Sequence, residues 1–363
     1  MKIGLHSPLP PAPTGVADYA VSLADALRRH AEIAFEPDGD ADVDLYHLGN
    51  NQLHREIYRR ALARPGVVVL HDAVMQHFYL GALDEPAYIA EFIHNYGEWH
   101  RDLARDLWLE RRRSAQDPRY FEYPMLRRIG EAARAVIVHN PAAAARVRRH
   151  APSARIVEIP HLFAHPARPR EYEVLRLRQR LGLAPGSFLF GVFGHLRESK
   201  RLAAILKVFS RVRAERPKSA LLVAGEFASS DLARSVALLA AQPGVIRTGY
   251  LVERDFWLHA SAVDACINLR YPSAGETSGI AIRLMGIAKT LLVTDGPEVE
   301  RFPEAACLRV DGGRAEEEML EAYMLWLLET PGAAARIGRL AAEHIAAHHS
   351  VELVARRYLE VLS

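Results

Sequence analysis

Short apolar runs alternate with amphipathic stretches along this chain, the pattern breaks once at a proline-rich segment, and then it starts again. Such alternation selects parallel strands joined by helical crossovers, because a parallel pair cannot be closed by a tight turn. In the first half, Lys2–His6, VDLYHLG (43–49), GVVVLHD (66–72), AVIVHN (135–140) and ARIVEIP (154–160) read as buried strands. A proline-rich loop after the first of them leads to Val16, Tyr19, Ala20, Leu23 and Leu27, spaced for one face of a helix. A helical tract over roughly 74–134 is expected to be interrupted at Pro86, Pro118 and Pro124. PHLFAHPARPRE (160–171) has no periodicity and reads as a linker. Beyond it come SFLFGVFGH (187–195), SALLVAGE (219–226), GVIRTGY (244–250), AVDACINL (262–269) and TLLVTD (290–295). The expected fold class is α/β: two doubly wound, Rossmann-like lobes with ligands in an interlobe cleft, at the carboxyl ends of strands. A length of 363 residues suits two such lobes.

Composition excludes several classes. Lys plus Arg total 46 against 44 Asp plus Glu, a net charge of +2, so nucleic acid is not an expected partner. Cys266 and Cys307 both lie in apolar stretches, which fits buried thiols in a reducing compartment. No apolar run reaches the length of a membrane span, and MKIGLHSPLPP enters a strand without the design of a signal peptide. The expectation is a cytoplasmic protein, at most peripheral at the inner face of a membrane. Region 101–149 is rich in arginine (Arg101, Arg105, Arg111, Arg112, Arg113, Arg127, Arg128, Arg134, Arg146, Arg148, Arg149), with Trp99, Leu103, Leu107 and Trp108 adding apolar bulk. It reads either as salt-bridged solvated helix or as a patch for anionic lipid or a diphosphate-linked acceptor.

Four stretches carry chemistry. In LRYPSAGETSGIAIRLMGIAK (269–289) a strand ends near Leu269, a loop holds Pro272, Gly275 and Glu276, and a helix begins around Ser278. Thr277 or Ser278 caps that helix, and the free N–H groups of Thr277, Ser278 and Gly279 form an anion site suited to phosphate. Glu276 then accepts hydrogen bonds from hydroxyls attached to that phosphate; the plainer alternative is an acid facing a helix dipole. In FGVFGHLRESKRL (190–202), Lys200 stands at a strand-to-helix junction as a point charge for a diphosphate. His195, Arg197 and Arg201 share its loop. In PLPPAPTGVADYA (8–20), Gly15 follows Thr14 at the start of the first helix, a place of close ligand approach, without the three spaced glycines of a dinucleotide fingerprint. His71 and Asp72 end a strand, where a His donates to a substrate hydroxyl or serves in acid–base work. DGDADVD (38–44) reads as a solvated loop, and His71 with His77 lacks zinc spacing, so no metal is expected. GIAKT (286–290) is no phosphate loop and GETSG no nucleophile elbow.

Together these stretches resemble the retaining glycosyltransferases of family four (glycosyltransferase group 1), which have the GT-B fold, and within them an ETSG-loop subgroup associated with surface-polysaccharide synthesis. The resemblance rests on PPAPTGVADY, YHLGNNQLHREIY (46–58), PGVVVLHD, FGHLRESKR and, most specifically, RYPSAGETSGIAIRLMGIAK. HHSVELVARRYLEVL fits the family's final helix, which crosses back onto the first lobe. The resemblance implies an acceptor lobe at 1–163 completed by a helix at 347–363, a linker at 164–172 and a nucleotide-sugar lobe at 173–346. It implies transfer of a hexose from a UDP- or GDP-sugar to a glycan or polyprenyl-diphosphate-linked saccharide, with no metal and no cofactor. It also implies that Lys200 grips the donor diphosphate, Glu276 contacts donor sugar hydroxyls, His71 lies near that sugar, and Gly15 lies near the phosphates with the backbone of Thr277, Ser278 and Gly279. Base selection falls to Gly249, Tyr250 and Leu251. His195 stands where many members carry Arg, so the clamp is weaker or uses Arg197 or Arg201. Leu284 stands where the second Glu of the family's Glu-x7-Glu motif binds the ribose. The alternatives are a non-catalytic sugar-nucleotide-binding partner subunit, or an epimerase or phosphorylase, on the same fold.

Overall fold

The computed structural model describes every residue except Pro13, Asp38 and Asp40. It contains two six-stranded sheets in which all adjacent strands are parallel. The first runs β1 (Lys2–His6), β2 (Glu32–Phe35), β3 (Val43–Leu48), β4 (Val67–Leu70), β5 (Ala135–Val138) and β6 (Ile156–Glu158), in the spatial order β2-β1-β3-β4-β5-β6. The second holds β7 (Phe188–Phe193), β8 (Ser219–Ala224), β9 (Val245–Gly249), β10 (Ala265–Asn268), β11 (Thr290–Thr294) and β12 (Leu308–Val310), in the order β12-β11-β10-β7-β8-β9. The chain divides into two compact units. One comprises Met1–Ala164, Pro272–Thr277 and His348–Ser363; the other comprises His165–Tyr271 and Ser278–Ala347.

β4 shows why these runs become strands. Successive side chains of a strand alternate between faces, and both faces of this sheet are covered, so an unbroken Val-Val-Val-Leu run is the right composition. Val67 and Val69 join Ile3, Leu5 and Leu45 in a core with the helices Gly15–Leu27 and Val351–Leu362. Val68 and Leu70 join Tyr46, Leu48, Phe78 and Phe92 on the opposite face. The two helices of the first face meet where Tyr19 and Tyr358, both buried, share a hydrogen bond of 2.9 Å between hydroxyls. In the second unit, Phe190, Val192, Leu221, Val223 and Ile267 form the main core with residues of the helices Leu202–Glu215 and Glu316–Glu329.

The structure departs from the sequence reading in five places. β2 and β12 were not expected; they are outer edge strands of four and three residues, too short for a period to register. Pro86 opens the helix Glu85–Tyr96 instead of interrupting one, because a first-turn residue needs no amide donor. The helix Glu171–Arg180 begins inside the segment read as linker, and Pro272–Thr277 groups with the first unit although strands of the second flank it in sequence. Asp44, the last acid of the DGDADVD run, is not solvated. It is buried in β3 with His6 Nε2 at 3.0 Å and Arg64 Nε at 2.7 Å, while Asp38 and Asp40 lie outside the described residues.

The arginine-rich region divides its labour. Arg101 pairs with Glu98, Arg105 with Asp102, Arg119 with Asp117 and Glu110, and Arg128 with the buried Glu91. Leu107 and Trp108 are core residues, whereas Trp99 is 99% and Leu109 64% exposed. Among the described residues no helix is long and apolar enough to cross a membrane.

Candidate functional site

In the second sheet the order of strands reverses at β7: β8 and β9 lie on one side of it, β10 to β12 on the other. The loops that leave β7 and β10 therefore diverge, and the crevice at such a reversal is where open parallel sheets bind ligands. Lys200 follows β7. It is 6% exposed, and its ammonium donates to the carbonyl oxygen of Phe193, the last residue of that strand. Gly194 has φ +89°, and a Cβ there would sit 3.0 Å from Lys200 Nζ and 3.2 Å from Cγ1 of Ile280. The ammonium and the first turn of the helix Gly279–Gly286 thus converge beside one glycine. A cation next to free helical N–H groups is an arrangement for an anion.

Ser278, not Thr277, caps that helix: its Oγ accepts from Ala281 N at 3.2 Å. Asn268 Nδ2 and Arg270 Nη2 reach the same oxygen at 3.0 and 3.2 Å, so the helix start is fixed from within its own unit. Asn268 and Arg270 were not singled out in the sequence, since nothing local marks a residue that braces a cap ten or eight positions away. Arg201 pairs within its own unit. Its backbone is left-handed (φ +59°), a strained state for a non-glycine residue, and its guanidinium binds the buried Glu316 carboxylate at 2.8 Å. The pair holds the turn that carries Lys200. His195 is exposed, and partial desolvation followed by the charges of Arg197 and Lys200 lowers its pKa, so it stays neutral at neutral pH. Leu284 is 1% exposed and part of the interior. Gly249 ends β9, two strands from β7 in the sheet, a lateral offset of about 10 Å. It has φ +70° with open space where a Cβ would be, and Tyr250 beside it is 67% exposed.

In the first unit the structure gathers a cluster that the sequence did not announce. Around the ring of Tyr19 stand His47, His71, His139 and His161, with centroids 4.6–5.8 Å away. His71 Nε2 and His47 Nδ1 are 2.9 Å apart. His139 Nδ1 donates to Ile159 O and His54 Nδ1 to His47 O, each at 2.9 Å. Burial first, then neighbouring imidazoles, holds His71 well below its usual pKa of 6.5. A neutral His71 offers a hydrogen bond to a hydroxyl rather than a proton at neutral pH. Tyr19 belongs to the helix that Gly15 opens, capped by Thr14, so that glycine and His71 are set by the same packing. A Cβ at Gly15 would meet nothing within 4 Å.

The loop Pro272–Thr277 is anchored in this unit. Ala73 N, two residues beyond His71, donates to Ala274 O at 2.8 Å, and Ala274 N donates to Glu276 Oε2 at 2.9 Å. Asn140 Nδ2 donates to Gly275 O and to Thr277 Oγ1, at 2.9 and 3.0 Å. Thr277 therefore serves this anchorage. Among the described residues no group of three or more His, Cys, Asp or Glu is arranged to hold a metal ion.

Two parallel doubly wound sheets in this order, with the last helix returning to the first, define the GT-B fold. Solved structures of that fold match the chain end to end. HepE of Anabaena in complex with UDP-glucose is 15% identical, with a TM-score of 0.67 over 100% of this chain and 99% of that one. Sucrose-phosphate synthase from Thermosynechococcus elongatus is 16% identical, with a TM-score of 0.67 over 99% and 98%. WaaG, a glycosyltransferase involved in lipopolysaccharide biosynthesis, is 14% identical, with a TM-score of 0.64 over 100% of both chains. No protein-family profile and no curated protein sequence matches the chain.

Proposed function

We propose that this protein is a glycosyltransferase that moves a hexose from a UDP- or GDP-sugar to a glycan or lipid-linked saccharide. The observation that carries the reading is the convergence of the buried Lys200 ammonium with the first turn of the helix Gly279–Gly286 beside Gly194. The fold it shares with HepE, solved with UDP-glucose, supports a nucleotide sugar as the anion. In this reading the diphosphate lies against Lys200 and the helix amides, which stabilise the charge that develops as the sugar–phosphate bond breaks. Glu276 binds hydroxyls of the transferred sugar, and neutral His71 donates to another. The nucleoside extends along the strand ends toward Gly249, Tyr250 and Leu251, where backbone groups select the base. Lys200 and the helix supply the charge neutralisation, so turnover is expected without a divalent metal; retention of configuration is what the resemblance to family four implies. For the acceptor, the exposed Trp99 and Leu109 in the arginine-rich region support a lipid-linked substrate at a membrane surface.

Thermal stability titrated with UDP, GDP, ADP and their sugar conjugates in EDTA tests this directly. One nucleotide series is expected to raise the midpoint, and no shift with any of them would overturn the reading. Lys200→Met should weaken diphosphate binding by about 1.5–3 kcal/mol, roughly 10- to 150-fold, the worth of a charged hydrogen bond. Wild-type affinity in a folded Lys200→Met protein would remove Lys200 from the site. Glu276→Gln should lower turnover of the sugar nucleotide while the bare nucleotide binds as before; equal losses for both would make Glu276 structural.

A further inference from the structure

Asn140 is 3% exposed and has two employments. Its Oδ1 accepts from Ala143 N at 2.8 Å, which caps the helix Pro141–His150. Its Nδ2 uses both hydrogens on the Pro272–Thr277 loop, one on Gly275 O and one on Thr277 Oγ1. The assignment of nitrogen and oxygen follows from the partners, because an amide N–H can only donate and a carbonyl only accept. A cap needs the first employment and not the second.

The residues that Asn140 holds bracket Glu276. Ala73 pins the loop one residue earlier, at Ala274 O, and Ala274 N in turn holds the Glu276 carboxylate. Gly275 is left-handed (φ +75°), and a Cβ there would lie 3.0 Å from Ala73 Cβ, so the backbone already sits as close as the packing allows. We propose that Asn140 is a positioning residue, which through Gly275 and Thr277 fixes the loop geometry in which Glu276 meets the donor sugar. This inference rests on the glycosyltransferase reading of the same loop. The diphosphate half of the site should not depend on it, since Ser278 is braced by Asn268 and Arg270.

Asn140→Asp separates the two employments. Asp caps helices as well as Asn does, but it has no N–H for Gly275 O. The variant should lose thermal stability, because a buried carboxylate oxygen then faces the Gly275 carbonyl, and should still bind UDP or GDP as the wild type does. Its turnover of the sugar nucleotide should fall about tenfold or more, as small misplacements of a positioned group do. Combined with Glu276→Gln it should be no slower than Glu276→Gln alone, because both changes remove one function. Should Asn140→Asp not fold, Asn140→Ser, which caps with a side chain too short for the loop, carries the same expectations. Wild-type turnover in the folded variant, or losses that multiply in the double mutant, would overturn the proposal while leaving the glycosyltransferase reading intact. A wild-type chain that binds and turns over no nucleotide sugar would overturn both.

Discussion

Between pH 6.5 and pH 4 the first unit is expected to lose stability steeply, by up to about 5 kcal/mol per pH unit. The cause is four histidines of this unit: His47, His54 and His139, all buried, and His71, which burial and neighbouring imidazoles hold well below its usual value. Burial, joined by the neighbouring imidazoles His139 and His54, lowers His47 to about 3. Burial likewise lowers His54 and His139 to about 4 each, against partial compensation from their hydrogen bonds to the carbonyls of His47 and Ile159. Above pH 6.5 these groups are neutral in both states and cost nothing. Below it the unfolded chain takes up four protons that the folded unit refuses, so stability falls with falling pH until the folded groups titrate in turn. Each refused proton is worth about 1.4 kcal/mol per pH unit. Urea unfolding at pH 7, 6 and 5, followed by amide exchange in β1 to β6, measures the slope. His139→Asn keeps a donor near the Nδ1 position and removes one titrating group, so the slope should drop by about a quarter. A stability that is flat from pH 7 to pH 5 would show that the cluster admits water and charges freely.

Tyr358→Ala should destabilise the same unit by about 3–5 kcal/mol, the range for deleting a buried aromatic side chain. Tyr358 is fully buried among Ile3, Leu23, Leu27 and Leu45, so its loss opens a cavity between the last helix and the sheet. It also leaves the Tyr19 hydroxyl, whose acidity burial already suppresses, without its partner at 2.9 Å. The thermal midpoint should fall by roughly 6–20 °C. Tyr358→Phe keeps the ring and should lose only about 1 kcal/mol, the worth of one neutral hydrogen bond. Protection of β1 to β6 should fall in Tyr358→Ala while β7 to β12 keep theirs. A midpoint close to that of the wild type would mean that the last helix is not part of the first unit's cooperative core.

Tyr19 ties this stability to the proposed chemistry. Its hydroxyl bonds the last helix while its ring carries His71 at 5.1 Å, so loosening of Tyr358 should be felt at the donor-sugar side of the site. The same economy recurs in the second unit, where Glu316 holds Arg201 and Arg201 holds the turn of Lys200.

How much of this was legible depends on range along the chain. The strand runs were readable because a parallel sheet covered on both faces demands unbroken Val, Ile and Leu, and that demand is met within four to six consecutive residues, as in β4 and β7. The helix starts at Gly15 and Gly279 were readable for a related reason: a strand end followed by a capped helix is a local pattern. The edge strands β2 and β12 escaped because three or four residues with one neighbour each carry too little pattern. Asp44 was misread because an acid beside other acids looks solvated until the fold brings His6 and Arg64 to it. The histidines around Tyr19 come from separate strands and loops, and only the sheet order puts them together. Asn140 was read only as the end of the strand run 135–140, and its bonds to Gly275 and Thr277 span 135 and 137 positions. Those between Tyr19 and Tyr358 span 339. By itself the sequence determined the alternating elements, their helix starts and the charges placed at them, since those are set by backbone preferences and burial over a few residues. Which helix start meets which cation, which loop is anchored where and which titratable groups are denied water were decided by tertiary packing alone, because contacts between remote segments place no repeating demand on the residues next to them.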